Sequence, residues 1–203
     1  MVLFLATPAL AEPVTIAAFG DSLTAGYGLP ADEGFVPVMQ TWLDGQGGDV
    51  ALINAGVSGD TTTGGLARLD WTLTDDVDAM IVALGGNDYL RGLDPAVTRD
   101  NLDRILATAA DRDIEVLLVG MRVGLNYGPE YKEAFDSIFT DLAARYDVPL
   151  YASWFTGLLA VAGMQEGVSD YMQDDGLHPN AEGVRVIVEA MGPAVLALAE
   201  SVE

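Results

Sequence analysis

Apolar residues in this chain follow two spacings. Short unbroken runs occur at Val14–Phe19, Val50–Asn54, Ala79–Leu84, Glu115–Gly120 and Val148–Tyr151, most of them bounded by Gly, Pro, Asn or Asp. Runs of that kind predict strands, with Val14–Phe19 and Ala79–Leu84 reading as buried ones. Between them, apolar positions recur every three or four residues, the helical period. They fall at Phe35, Val38, Met39, Trp42 and Leu43; at Leu66, Leu69 and Leu73; at Val97, Leu102, Ile105, Leu106 and Ala109; and at Tyr131, Phe135, Ile138, Phe139 and Leu142. Gly45, Gly47 and Gly48 stop the first helix, Asp60 or Thr61 can cap the second, and Pro95 opens the third, which runs to about residue 112. A last helix is expected from about 180 to 200, with Asn180 near its start. Residues 23–33 and 122–130 read as loops, and 154–174 as irregular chain with one short helix. Pro149 marks the final strand as an edge. Trp42, Phe135 and Phe139 read as core.

Strand and helix thus alternate five times with no repeat, linker or shift of composition. The pattern predicts a single α/β domain over residues 12–203: three α/β/α layers around a mainly parallel five-stranded sheet. Strand order 2-1-3-4-5 fits best, because it puts the end of strand 1 where the order reverses, the usual site position in open sheets. Four polar turns then meet at one rim: Gly20-Asp21-Ser22, Gly56 to Asp60, Gly85-Gly86-Asn87-Asp88, and Asp174 to Asn180.

Composition narrows the function. The chain has 203 residues, half of them hydrophobic, enough for a sizeable core. It carries 31 acidic against 9 basic residues, a formal charge of -22. That field argues against nucleic acid and anionic membrane surfaces, and suits a self-repelling monomer. The absence of cysteine excludes disulfides, thiolate chemistry and Cys-ligated metals. A single histidine leaves a zinc site short of ligands; carboxylates that could hold calcium are plentiful, but no EF-hand loop appears. Residues 1–11, MVLFLATPALA, are uncharged and end in Ala9-Leu10-Ala11, a small-x-small cleavage pattern. They read as the remnant of an export signal without its basic start, implying a periplasmic or secreted protein. The run is too short to span a bilayer, and stable membrane insertion is not expected.

The converging turns hold what acyl transfer requires. A serine hydroxyl needs a base to take its proton. Imidazole is the usual base, and His178 is the only one present. A carboxylate must hold the other ring nitrogen. Asp175, three residues before His178 across Gly176, can fold back onto the ring; Asp174 is its rival. Pro179 restricts the backbone of His178. The backbone N–H groups of Ser22 and Gly59 and the amide of Asn87 are candidate donors to an oxyanion. Each residue alone also has a plainer reading. Ser22 can be a helix cap, Asn87 a turn residue and His178 structural. Asp21, Asp60 and Asp88 can be turn or cap carboxylates, with Asp21 also able to tie the loops together, and Arg68 can be a surface residue or a loop tether. No G-x-G-x-x-G follows the first strand, which argues against a dinucleotide site.

Taken together, FGDSLTAGYG at 19–28, NAGVSGDTTTGGLARL at 54–69, GGND at 85–88 and DDGLHPN at 174–180 make the chain resemble the GDSL, or SGNH, hydrolase superfamily. Within it the chain is most similar to the group of TesA-like arylesterase, thioesterase I and lysophospholipase L1. The resemblance implies the flavodoxin-like SGNH fold, a nucleophile at Ser22, a base at His178, an acid at Asp175, and an oxyanion hole of Ser22, Gly59 and Asn87. It also implies hydrolysis of carboxylic esters, and often thioesters, without cofactor or metal. The expected substrates are small molecules: aryl esters, short-to-medium acyl esters, thioesters or lysophospholipids. Val123, Leu125, Tyr127 and Phe155 are expected to line an acyl groove, with Leu158, Leu159, Val161 and Met164 nearby; the plainer reading packs them under the loops as a satellite core. A carbohydrate acetylesterase with a small polar pocket and a non-catalytic binding module are the alternatives. The negative surface should disfavour highly anionic substrates, acyl-coenzyme A included, unless local charge overrides it.

Overall fold

The five apolar runs form strands β1 (Val14–Gly20), β2 (Val50–Gly56), β3 (Ala79–Ala83), β4 (Glu115–Val119) and β5 (Leu150–Tyr151) in a computed structural model that describes residues 13–162 and 165–202. All pair in parallel in the order β2-β1-β3-β4-β5, the predicted topology. The expected export remnant at 1–11 and Met164 lie outside the described residues. β5 is only two residues long and pairs with β4 alone, as an edge strand preceded by Pro149 allows.

The period-2 geometry of strands divides the core cleanly. Ala17, Phe19, Met80 and Val82 face one layer, made by α3 (Thr62–Thr72), α5 (Pro95–Asp111) and α6 (Pro129–Tyr146). Ile16, Ala18, Ala79 and Ile81 face the other, made by α2 (Phe35–Gln46), α7 (Thr156–Ala162) and α8 (Ala181–Glu200). Caps fall near the expected residues: the Thr61 side chain accepts from Gly64 N–H, Pro95 opens α5, and Asn180 Oδ1 accepts from Gly183 N–H at 2.9 Å.

Three local features differ from expectation. Trp42 is half-buried rather than core: its indole Nε1 donates to Glu189 at 3.0 Å, keeping one edge at the surface. Two very short helices, α1 (Ser22–Ala25) and α4 (Gly86–Leu90), follow β1 and β3; neither is long enough to show a period. Residues 154–174 contain a 3-10 helix, Gln165–Tyr171, in addition to α7.

β2 runs so close to α1 that a Cβ on Gly56 would lie 2.3 Å from the backbone nitrogen of Ala25. Backbone cannot move aside as a flexible side chain can. Gly56→Ala should therefore lower stability by about 1–3 kcal/mol, read as a reduced urea midpoint at an unchanged slope.

Candidate active site

β1 ends beneath α1. A Cβ on Gly20 would stand 2.1 Å from Thr24 Oγ1 and 2.9 Å from the Ala83 carbonyl. Glycine is thus required there by close approach. The cap of α1 is Asp21, whose Oδ1 accepts from Leu23 N–H at 3.1 Å. Ser22 is the first helical residue, and its hydroxyl is not spent on capping. Ser22 Oγ lies 2.8 Å from His178 Nε2, and His178 Nδ1 lies 2.6 Å from Asp175 Oδ2.

The loop carrying His178 is rigid for local reasons. Asp175 Oδ1 accepts from the N–H groups of Leu177 (2.9 Å) and His178 (3.0 Å), so one carboxylate holds both the turn and the ring. Asp174 makes no such contact, which separates the two rival acids. Gln173 Nε2 donates to the carbonyls of Tyr27 and Pro179 at 2.8 and 3.0 Å, tying this loop to the segment after α1. The Tyr27 ring packs on the imidazole with centroids 4.7 Å apart. Nothing in the sequence signalled Tyr27 beyond its place in the first motif block.

The three groups expected to donate to an oxyanion belong to residues that line the same cleft as His178. No acceptor among the described residues takes the N–H of Ser22 or of Gly59. Gly59 has φ +83, the left-handed region that glycine enters without strain. Asn87 lies on α4, and its Nδ2 donates to Asp21 Oδ2 at 3.3 Å. The next residue, Asp88, is fully buried and accepts from Thr62 N–H (2.8 Å), Thr62 Oγ1 (2.5 Å) and Thr98 Oγ1 (3.2 Å). That network locks α4 to α3 and α5. Arg91, just past α4, donates to the Gly59 carbonyl at 2.7 Å and links that turn to α4. Arg68 is the loop tether: it contacts Asp60 at 2.6 Å and the carbonyls of Ala55 and Gly20 at 2.9 Å each.

Two carboxyls here leave the ordinary range in opposite directions. Burial pushes Asp21 up to about 6, against hydrogen bonds from Leu23 and Asn87 that favour its charged form. The hydrogen bond from the His178 ring, with the two backbone N–H groups, holds Asp175 down at about 2.

The cleft lined by Ser22 and His178 encloses about 490 Å³. Its wall is mostly apolar: Leu23, Tyr27, Tyr89, Leu90, Met121 and Phe155. Of the four residues expected to line an acyl groove, only Phe155 reaches it. Val123 is turned into the core because Asp136 and Lys132 grip its backbone N–H and carbonyl. Leu125 and Tyr127 face solvent, Tyr127 with its ring against Tyr89 and Tyr131. Leu158 is core, Leu159 lines a neighbouring groove, and Val161 is exposed. Leu23, Tyr27, Tyr89, Leu90 and Met121 are the wall residues not expected from the sequence; their place on or just after the strand-end turns was the available signal.

The GDSL-like Lipase/Acylhydrolase family model matches residues 18–186. The esterase TesA of Pseudomonas aeruginosa is 37% identical over 182 residues, covering 89% of this chain and 87% of its own. The thioesterase 1/protease 1/lysophospholipase L1 of Escherichia coli K12 is 36% identical over 178 residues, covering 87% and 81%. The crystal structure of AlinE4, an SGNH-hydrolase family esterase, superposes with a TM-score of 0.73 at 42% identity, covering 93% of this chain and 98% of that one.

The two shifted carboxyls contribute to stability with opposite signs. Asp21 stays protonated in the folded state where the unfolded chain, at 3.8, has already ionised. Its contribution is full below about pH 4 and is lost as pH rises through about 6. That of Asp175 is present above about pH 4 and lost as pH falls towards about 2. Carbon-13 titration should place the Asp21 midpoint near 6 and find it higher in Asn87→Ala, which removes a hydrogen bond to the charged form. A midpoint in the ordinary carboxylate range would contradict control by burial.

Proposed function

The chain belongs to the GDSL-like lipase/acylhydrolase family, and from that premise we propose that this ester hydrolase works through Ser22, His178 and Asp175 with an oxyanion hole of Ser22, Gly59 and Asn87. The observation that carries the reading is the unbroken hydrogen-bonded line from Ser22 Oγ through the imidazole to Asp175.

The chemistry follows from that line. Asp175 keeps the proton on Nδ1, so Nε2 presents its lone pair to the serine hydroxyl. His178 takes that proton as Ser22 Oγ attacks the ester carbonyl. The carbonyl oxygen gains negative charge and is met by Ser22 N–H, Gly59 N–H and the Asn87 amide. Collapse breaks the bond to the leaving alcohol or thiol, which receives the proton from Nε2. The acyl group is now on Ser22. Water attacks it by the same proton path, freeing the acid and restoring the hydroxyl. Every step is served by the chain's own residues.

The apolar cleft favours aryl esters and short-to-medium acyl esters, with thioesters and lysophospholipids within its chemistry. A sugar acetylesterase would need a small polar acyl pocket, and the wall here is hydrophobic. The Ala9-Leu10-Ala11 pattern supports export with cleavage before Glu12, into periplasm or medium. The charge of -22 supports a monomer.

Ser22→Ala should lower turnover of p-nitrophenyl esters by on the order of 10⁴-fold or more. Asn87→Ala should lower kcat by about 10²–10³-fold. Undiminished turnover in purified Ser22→Ala would exclude this nucleophile. Along a series of p-nitrophenyl esters from acetate to dodecanoate, kcat/KM should peak between the extremes; activity confined to acetate would exclude the apolar acyl site.

A further inference from the structure

Cations are scarce in this chain, and almost all are neutralised. Seven of the nine basic side chains sit within ion-pair distance of a carboxylate. Arg91 is committed to the Gly59 carbonyl. That leaves Arg122: among the described residues it is the one basic side chain with neither a hydrogen bond nor an ion pair. Its backbone is nevertheless held on both sides. Gly120 N–H donates to the Tyr151 carbonyl at 2.8 Å, and Val123 N–H donates to Asp136 at 2.9 Å. A free guanidinium on clamped backbone is presented rather than merely tolerated.

Arg122 lines a second groove of about 810 Å³. Phe155 and Leu177 form its boundary with the catalytic cleft, since both line the two spaces. Arg122 also borders a small cavity of about 100 Å³ that shares Asp21, Gly86 and Met121 with the catalytic cleft. The second groove is built partly from the loop that carries His178, through Gln173, Asp174 and Gly176. His178 itself lines the adjoining cleft, which shares Phe155 and Leu177 with this groove. Nε2 must hand its proton to the departing atom, so the leaving group departs on the imidazole side.

We infer that this groove receives the leaving group of the ester, and that Arg122 selects leaving groups bearing an anionic substituent: a sulfonate, phosphate or carboxylate. The inference rests on the Ser22–His178 reading above. It also names where local charge opposes the field of the whole chain. The net charge of -22 repels anions at long range, but that repulsion is screened beyond about 8 Å at physiological ionic strength. Within the groove the free guanidinium acts at contact distance, with a planar fork suited to oxyanions. Asp174 lines the same groove and opposes it.

The test uses a matched pair, phenyl butyrate and 4-sulfophenyl butyrate, which share an acyl group and differ in leaving-group charge. The quantity read is the ratio of kcat/KM on the sulfonated ester to that on the neutral one. Relative to wild type at low salt, Arg122→Gln should lower the ratio about fivefold, chiefly through KM. Arg122→Lys should keep part of it, and Asp174→Asn should raise it. Added sodium chloride should bring the wild-type ratio down towards that of Arg122→Gln. A ratio unmoved in Arg122→Gln, including a parallel fall on both esters, overturns the inference while the hydrolase reading stands. Failure of folded wild-type protein to turn over either ester overturns both.

Discussion

One guanidinium holds the rim together. Arg68 reaches from α3 to the carbonyls of Gly20 and Ala55, near the ends of two neighbouring parallel strands, and to the Asp60 carboxylate. Its plane lies over the Phe19 ring, 4.2 Å from the centroid. The Gly20 carbonyl already accepts from Val57 N–H at 3.1 Å, so the guanidinium adds a second donor to it. A planar fork reaches both carbonyls and a carboxylate at once, which a lysine cannot do. Through that contact the turn bearing Ser22 and the turn bearing Gly59 keep a fixed separation.

The third proposed oxyanion donor is fixed from below. Asp88 is wholly desolvated, and three donors from α3 and α5 surround it. Asn101 extends the network with bonds to Thr62 and Thr63. Satisfied networks of this kind impose one geometry, because any displacement strands a polar group. Asn87 inherits that rigidity. Asp21 shows the opposing tendency: beside Ser22, burial raises its affinity for a proton. Stability is conceded locally so that Asn87 is held from the far side.

What could be read in the linear chain was what local spacing determines. Asp175 and His178 close their contact within one turn, and the end of β1 presents Ser22 whatever lies elsewhere. The alternation of two apolar periods carried the topology, most plainly in the buried runs of β1 and β3. The cleft wall was harder to read. Val123 looks like a groove residue until Asp136 and Lys132 grip its peptide, and Tyr127 until Tyr89 and Tyr131 claim its ring. Arg68 could be read as a tether, but its three targets belong to segments far apart in sequence. Trp42 has the spacing of a core residue, yet Glu189 at the surface takes its N–H.

The hydroxyl and its base are 156 residues apart, and ribosomes make proteins from one end only. The strand leading to Ser22 therefore emerges early, while the His178 imidazole arrives just ahead of the final helix. Until the last segment docks, a nascent or incompletely folded chain leaves the Ser22 hydroxyl without the imidazole against it. The order of the parts along the chain thus sets when that pair can first meet.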